Sequence, residues 1–458
     1  MAKNNKRSGF TIVELLVVMV VIGVLAAITV ISYTGVQSRA KIASLQSDLS
    51  GASQQLKLYQ VEDINGSYPT GIDANKCFTP AGTRSMCLNP SNSYTYSANN
   101  TSNPKTFTLN ATNGDLTYNI TNSSAPTAVI IPTGVLSALG TPTIATGTSP
   151  WGVATSVDGS SVYTANAGAN TISMYSRDPI TGALTALGTP TIATGSSPFG
   201  ITISADGHSV YASNYMANTV SMYNRDTDSG ALNAIGTIAT GLYPYAICIS
   251  TDGQSVYTAN YISNNVSMYN RDTGSGVLTS IGAIAAGSYP FSVAISADGK
   301  SVYTANYTSD NITMYNRDTG SGTLNSIGTI ATGTNPFSVA VSADGKSVYT
   351  ANYQNSNISM YNRNTGTGVL NSIGTIAAGT NPGGIVISAD GYSVYALNRG
   401  SNNISMYSRN ADTGALTALA APTIAAGSSP RGISVSSDGS SVYASSYNSS
   451  VLLMFSRQ

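Results

Sequence analysis

The sequence predicts a multidomain chain in which a long N-terminal helix with a small antiparallel sheet, an α+β unit, precedes an all-β seven-bladed propeller. Three observations predict it. An apolar run from Phe10 to Ile31 leads into residues at helical spacing. Short alternating segments follow between Tyr94 and Ile120. From Gly134 onward the chain repeats, with Val-Tyr ending at Tyr163, Tyr211, Tyr257, Tyr303, Tyr349, Tyr395 and Tyr443, at spacings of 46 or 48 residues. A period in that range marks a propeller or a solenoid.

The N-terminal run is long enough to cross a bilayer as a helix, for which about 20 apolar residues suffice. Lys3, Lys6 and Arg7 precede it and keep its start in the cytoplasm. Glu14 sits inside the run and is one of only two glutamates in the chain. A lone carboxylate in hydrocarbon is expensive and needs a cationic partner. Lys6-Arg7-Ser8-Gly9 followed by Phe10-Thr11-Ile12-Val13-Glu14-Leu15-Leu16 resembles the leader of type IV prepilins. The resemblance implies that residues 1–9 are a leader, that a prepilin peptidase cuts between Gly9 and Phe10, and that Phe10 is then methylated. It implies that the helix leaves the membrane for a filament core, where Glu14 pairs with a neighbouring subunit's N-terminal amine. Other pilin subunits, the peptidase and, before assembly, the cytoplasmic membrane are the partners it implies. The assembled subunit would stand at the cell surface or in an extracellular pilus.

Beyond Ile31, Val36, Ala40, Ala43, Leu45, Leu49, Ala52, Leu56 and Tyr59 continue at helical spacing. The helix is expected over about 10–65, ending at Asn65-Gly66. Tyr94–Ser97, Thr106–Asn110 and Asp115–Ile120 read as strands, with Asn113-Gly114 as a hairpin turn. This sheet, within 67–121, completes a unit over 10–121 that resembles a pilin. Cys77 and Cys87 are close in sequence and extracytoplasmic, so a disulfide is expected. Residues 122–133, with Pro126 and Pro132, read as a linker.

Each repeat holds four strand-like runs, as in Phe291–Ser296, Ser301–Ala305, Asn311–Asn316 and Thr323–Ala331. Four strands fit one propeller blade. The C-terminal copy, Pro430 to Arg457, supplies only three. The fourth is expected from Val135–Thr146, which closely matches Ala183–Thr194. Such closure removes the open edge of the array. With Val-Tyr-Thr-Ala-Asn as their hallmark, residues 134–458 resemble the YVTN-repeat and lactonase-like seven-bladed propellers.

The composition narrows the function. Lys+Arg and Asp+Glu both number 20, so no basic excess exists for nucleic acid. No cluster has metal-ligand spacing, and no cofactor is expected; Asp226-Thr227-Asp228-Ser229-Gly230 starts like a calcium loop but lacks its later ligands. The single histidine, His208, belongs to a turn, and the propeller contains no glutamate. The expectation is therefore that the chain is not an enzyme. Cys248 replaces Ala or Thr of other copies and reads as a small buried filler. Arg177, Arg225, Arg271, Arg317, Arg363, Arg409 and Arg457 recur once per blade and read as inter-blade fasteners, and the repeated Asp-Gly pairs as hairpin turns.

The mouth of the ring holds the candidate ligand residues. Trp151, Phe199, Tyr245, Phe291, Phe337, Gly383 and Arg431 follow the repeated Pro. Tyr215, Tyr261, Tyr307 and Tyr353, each preceded by Asn, open on the same face by strand order. Arg399 replaces the Tyr of that loop in the sixth copy. Trp151, the four loop tyrosines, Arg399 and Arg431 are the candidates, for an unknown surface ligand, glycan or protein. The reading is a minor or tip pilus-like subunit whose propeller mediates adhesion. The alternatives are a surface-tethered lactonase-like hydrolase and a pseudopilin of a secretion system.

Overall fold

The computed structural model describes residues 47–57, most of 67–79, shorter pieces of 60–129, and 133–458 without a break. The leader, Gly9, Phe10, Glu14 and the apolar run lie outside the described residues. No helix among the described residues is long and apolar enough to cross a membrane. The chain divides into two compact units, 1–131 and 132–458.

In the first unit the helix at 47–57 buries Leu49, Ala52 and Leu56. Their spacing places them on one face, and they pack on Tyr68, Phe78, Leu88, Phe107, Leu109 and Ile120. Asp63 accepts the N–H groups of Asn65 and Ser67 at 3.0 and 2.8 Å, making a turn where the helix was expected to end. Strands Ser93–Asn99, Thr106–Asn113, Leu116–Thr121 and Thr127–Val129 form an antiparallel sheet in that order. Asn113 stands opposite Leu116, which leaves a two-residue hairpin connection. Thr127–Val129 corrects the linker reading: these residues pair with Leu116–Thr121, because the edge of a three-stranded sheet offers free N–H and C=O groups to the chain that follows. Cys77 and Cys87 form a disulfide.

The second unit is a ring of seven four-stranded antiparallel blades. Blade 1 is built from Pro150–Thr155, Ser161–Asn166, Thr171–Arg177 and Leu184–Ala193. Blades 2 to 6 begin at Pro198, Pro244, Pro290, Pro336 and Pro382. Blade 7 takes Pro430–Val435, Ser441–Ser446 and Val451–Arg457 from the C-terminus and Leu136–Ala145 from the N-terminal side. Val451 pairs with Ala145 and Arg457 with Leu136. Gly134 N–H donates to Gln458 C=O, and Gln458 N–H donates to Val135 C=O, both at 2.9 Å.

The apolar cores lie between blades. Tyr163, Ile172 and Met174 of blade 1 pack on Val210, Ala212 and Tyr223 of blade 2, and the pattern repeats around the ring. Among the described residues, every core cluster of the propeller draws on residues within 136–455. Cys248 lies in one such seam, and burial pushes its thiol up to about 12.

The repeated arginines fasten each blade to the one before. Arg317 of blade 4 donates to Asp252 at 2.8 Å, to the Tyr257 hydroxyl at 3.0 Å and to Ser255 Oγ at 2.9 Å, all in blade 3. Tyr257 O–H then donates to Gly322 C=O of blade 4 at 2.7 Å. The same ion pair joins Arg177 to Asp438, Arg225 to Asp158, Arg271 to Asp206, Arg363 to Asp298, Arg409 to Asp344 and Arg457 to Asp390. The Asp-Gly turns therefore do more than reverse the chain: each supplies the carboxylate that receives the next blade's guanidinium.

Candidate functional site at the propeller mouth

Strand alternation sends the first strand of each blade inward from the mouth and the second strand back to it. The residue after each repeated Pro and the loop after each second strand therefore share one face. Trp151 stacks on Phe199 with ring centroids 4.2 Å apart, and Phe199 stacks on Tyr215 at 4.5 Å. Tyr261 and Tyr307 meet Phe291 at 4.9 and 4.7 Å, and Tyr353 meets Phe337 at 5.7 Å. Tyr245 is the hub. Its ring lies 5.7 Å from Trp151, 5.1 Å from Phe199, 4.3 Å from Phe291 and 5.7 Å from Phe337, each nearly edge-on. Residues of blades 1 to 5 thus converge over the axis, and the rings satisfy one another instead of standing apart.

The two arginines lie on the same cluster. The Arg399 guanidinium is 4.5 Å from the Phe337 ring and 5.1 Å from Trp151. That of Arg431 is 4.7 Å from Trp151 and 4.9 Å from Tyr447. Cations over ring faces are held by the ring quadrupole. Gly383 makes room for this, since a Cβ there would collide with Arg399 Cδ. Among the described residues no carboxylate pairs with either arginine, and the Nε of each is buried without a hydrogen-bond partner. The two guanidinium groups thus share one indole, with no carboxylate beside them among the described residues.

An axial cavity of about 260 Å³ is walled by Trp151, Phe199, Tyr245, Phe291 and Phe337 and by residues just deeper on the inner strands, among them Ile247, Val293, Ile385 and Ile433. Ser292 and Ser338 add hydroxyls, while Tyr245 and Arg431 are the ionisable groups of the wall. Burial drives the Tyr245 hydroxyl well above the ordinary tyrosine range, against the opposing pull of Arg399. His208 is exposed at the far end of the ring, beside the Asp206-Gly207 turn. Asp226 Oδ1 accepts N–H groups of Asp228 and Ser229 at 3.0 and 2.9 Å, so the calcium-like loop is closed on itself. No metal-binding group of side chains occurs among the described residues.

Residues 189–295, 286–383 and 371–458 match the family described as lactonase, seven-bladed β-propeller. The chain belongs to that family. Residues 4–30 match the prokaryotic N-terminal methylation motif. Core protein G of the type II secretion system is 33% identical over 75 residues in Aeromonas hydrophila and 31% in Pseudomonas aeruginosa, covering 16% of this chain and 51% of each relative. The chain thus spans about half the length of the curated relatives it matches. Among solved structures, the periplasmic gluconolactonase of Pseudomonas aeruginosa superposes with a TM-score of 0.53 at 19% identity, covering 62% of this chain and 86% of its own. Hydrazine synthase of Kuenenia stuttgartiensis gives 0.54 at 22% identity, covering 68% and 96%. At such identities the likeness is one of fold alone.

Membership of the lactonase family corrects one expectation. The absence of glutamate and of clustered histidine in the propeller suggested a non-enzyme, and that conclusion does not stand against a family of hydrolases. The inference failed because it looked for acid–base side chains only, whereas guanidinium and backbone groups also stabilise developing negative charge. The sequence reading also missed Tyr447, which holds the position of the loop tyrosines but follows Ser446 instead of Asn. Tyr243 and Tyr289 were missed too. They precede the repeated Pro where other copies carry Ser or Asn, a departure within the repeat that could have flagged them.

Proposed function

We propose that this chain is a surface-displayed, pilus-like subunit, minor or at the tip, whose propeller recognises an anionic ligand at its mouth. The observation that carries the reading is the arginine pair on Trp151, paired with no carboxylate among the described residues, in a chain that also bears a methylation motif. Trp151 and Tyr353 touch the pair, and Tyr215, Tyr261 and Tyr307 belong to the aromatic cluster around it. Charge-assisted hydrogen bonds from a guanidinium contribute about 1.5–3 kcal/mol. Replacing Arg399 or Arg431 by Ala should therefore weaken the binding of carboxylated or sulfated glycans about tenfold or more, measured on an array with residues 132–458. Unchanged binding in both variants would overturn the anion site.

A second reading is favoured by the family: a tethered lactone hydrolase, with Arg431 beside the lactone carbonyl in the axial cavity. Release of acid from sugar lactones by residues 132–458, lost in Arg431→Ala, would establish it. Assembly into a secretion machine, as in the curated relatives, is the remaining alternative. Surface labelling of the propeller on intact cells separates it from a pilus.

Processing is tested directly. Mature protein should begin at methylated Phe10. Glu14→Val removes a costly intramembrane charge, so it should still insert but fail to assemble. N-terminal sequencing that finds Met1 or Ala2 on assembled filaments would sink the pilus reading.

A further inference from the structure

The two faces of the ring differ in charge to a degree that the repeat itself does not require. The mouth loops and the residues after the repeated Pro carry three charged side chains, Asp310, Arg399 and Arg431. Asp310 is engaged, accepting the Asn335 N–H at 2.7 Å. The other charged residues of the propeller lie at the opposite end, in the Asp-Gly turns, the arginine fasteners and the loops before the outer strands. An exposed face with almost no charge is unusual for a solvated surface.

Blades 2 to 4 make that face apolar. Met216, Leu242 and Ile262 are 55, 50 and 38% exposed. Leu242 and Ile262 are adjacent, with Ile262 N–H donating to Leu242 C=O at 3.3 Å. Beside them Tyr243 lies tilted against Tyr215 at 4.7 Å, and Tyr289 stacks on Tyr261 at 4.6 Å. Both hold φ values of 57° and 56°, in the left-handed region that bulky side chains avoid. The same backbone position in the other blades is held by Ser149, Ser197, Asn335, Asn381 and Ser429. Tyr243 thus departs from backbone preference directly beside Leu242, and Tyr289 does so one blade on, stacked on the Tyr261 that precedes Ile262. Strain of this kind gathers at functional surfaces.

We propose that the mouth face docks on an anionic lipid surface, with Met216, Leu242 and Ile262 entering the headgroup–acyl boundary and Arg399 and Arg431 meeting lipid phosphates. The proposal rests on the reading above, in which the propeller is displayed outward and its arginine pair takes an anion. Three comparisons favour lipid. Exposed aliphatic side chains gain by entering the acyl boundary, and tyrosines settle at the headgroup level. Sugars stack on open ring faces, whereas the central rings here are stacked on one another. A second copy placed mouth to mouth would set arginine against arginine, which like-charge repulsion opposes.

The test is flotation of residues 132–458 with vesicles of phosphatidylcholine, with and without phosphatidylglycerol. Binding is expected to the anionic vesicles and to weaken with salt. Leu242→Asp with Ile262→Asp should lower partitioning about tenfold or more without lowering Tm. Arg399→Ala with Arg431→Ala should abolish the preference for phosphatidylglycerol. Lys300→Ala with Lys346→Ala, on the opposite face, should change nothing. If the folded propeller ignores vesicles but still binds anionic glycans through the arginines, the lipid proposal fails and the recognition reading stands. If it binds neither, both fail. If soluble glycerol phosphate competes fully and the aspartate variants bind vesicles normally, the apolar rim has no part and the proposal is overturned.

Discussion

Deleting residues 134–146 is expected to abolish the single cooperative unfolding transition of the isolated propeller. The deletion removes the outer strand of blade 7, including Leu136, which is 3% exposed. It removes the acceptor of the Tyr395 hydroxyl, the Gly134 carbonyl, at 3.0 Å. It also removes Ala145, whose carbonyl accepts from Tyr175 of blade 1 at 2.7 Å. Two seams therefore lose contacts at once, and the third strand of blade 7, Val451–Arg457, becomes an unpaired edge open to aggregation. In a closed ring each blade is held from both sides, so loss at one blade is felt at both its neighbours. Calorimetry of residues 132–458 and 147–458 decides it. Equal Tm values for the two would show that the N-terminal strand does not close the ring.

Arg317→Ala should remove an inter-blade fastener and destabilise the propeller by about 2–4 kcal/mol. Breaking a buried ion pair typically costs about 3–5 kcal/mol, and the discount reflects the 35% exposure of the Asp252 side chain, which water can partly satisfy. The change also leaves Tyr257 and Ser255 without a donor. Urea unfolding of Arg317→Ala against the parent measures it, and an unchanged midpoint would refute the fastener role.

The same pairs predict acid sensitivity. Burial raises the carboxyl pKa of Asp158, but hydrogen bonds from Ser156, Ser160 and Arg225 outweigh it and leave the group at about 2. Asp438 is likewise at about 2, with burial outweighed by Ser436, Ser440 and Arg177. Their unfolded value is about 3.9. A depressed folded-state pKa stabilises fully above the unfolded value and is lost as pH falls through the folded one. Stability should therefore decline between about pH 4 and pH 2. Asp158→Asn with Asp438→Asn should flatten that decline, and a parallel acid curve would contradict it.

Much of this molecule is legible in one dimension because it repeats. Seven Val-Tyr pairs at near-constant spacing announce seven blades, and the match of Val135–Thr146 to Ala183–Thr194 announces where the ring shuts. Local rules sufficed for the hairpin at Asn113, the Asp-Gly turns and the helical face of Leu49, Ala52 and Leu56. They did not suffice for Thr127–Val129, because pairing at a sheet edge depends on which strand is already there.

The sequence by itself determined the motif at residues 4–30, the blade count, the closure and the set of side chains at the mouth. Only the tertiary structure decided what those side chains do to one another. Tyr245, one aromatic in a series of five, becomes the hub because blades 1 to 5 bring their inner strands to a common axis. Arg399 and Arg431 share Trp151 although 248 and 280 residues separate them from it in the chain. Ring closure sets blades 6, 7 and 1 side by side, and the repeat read along the chain does not encode which of their side chains then touch.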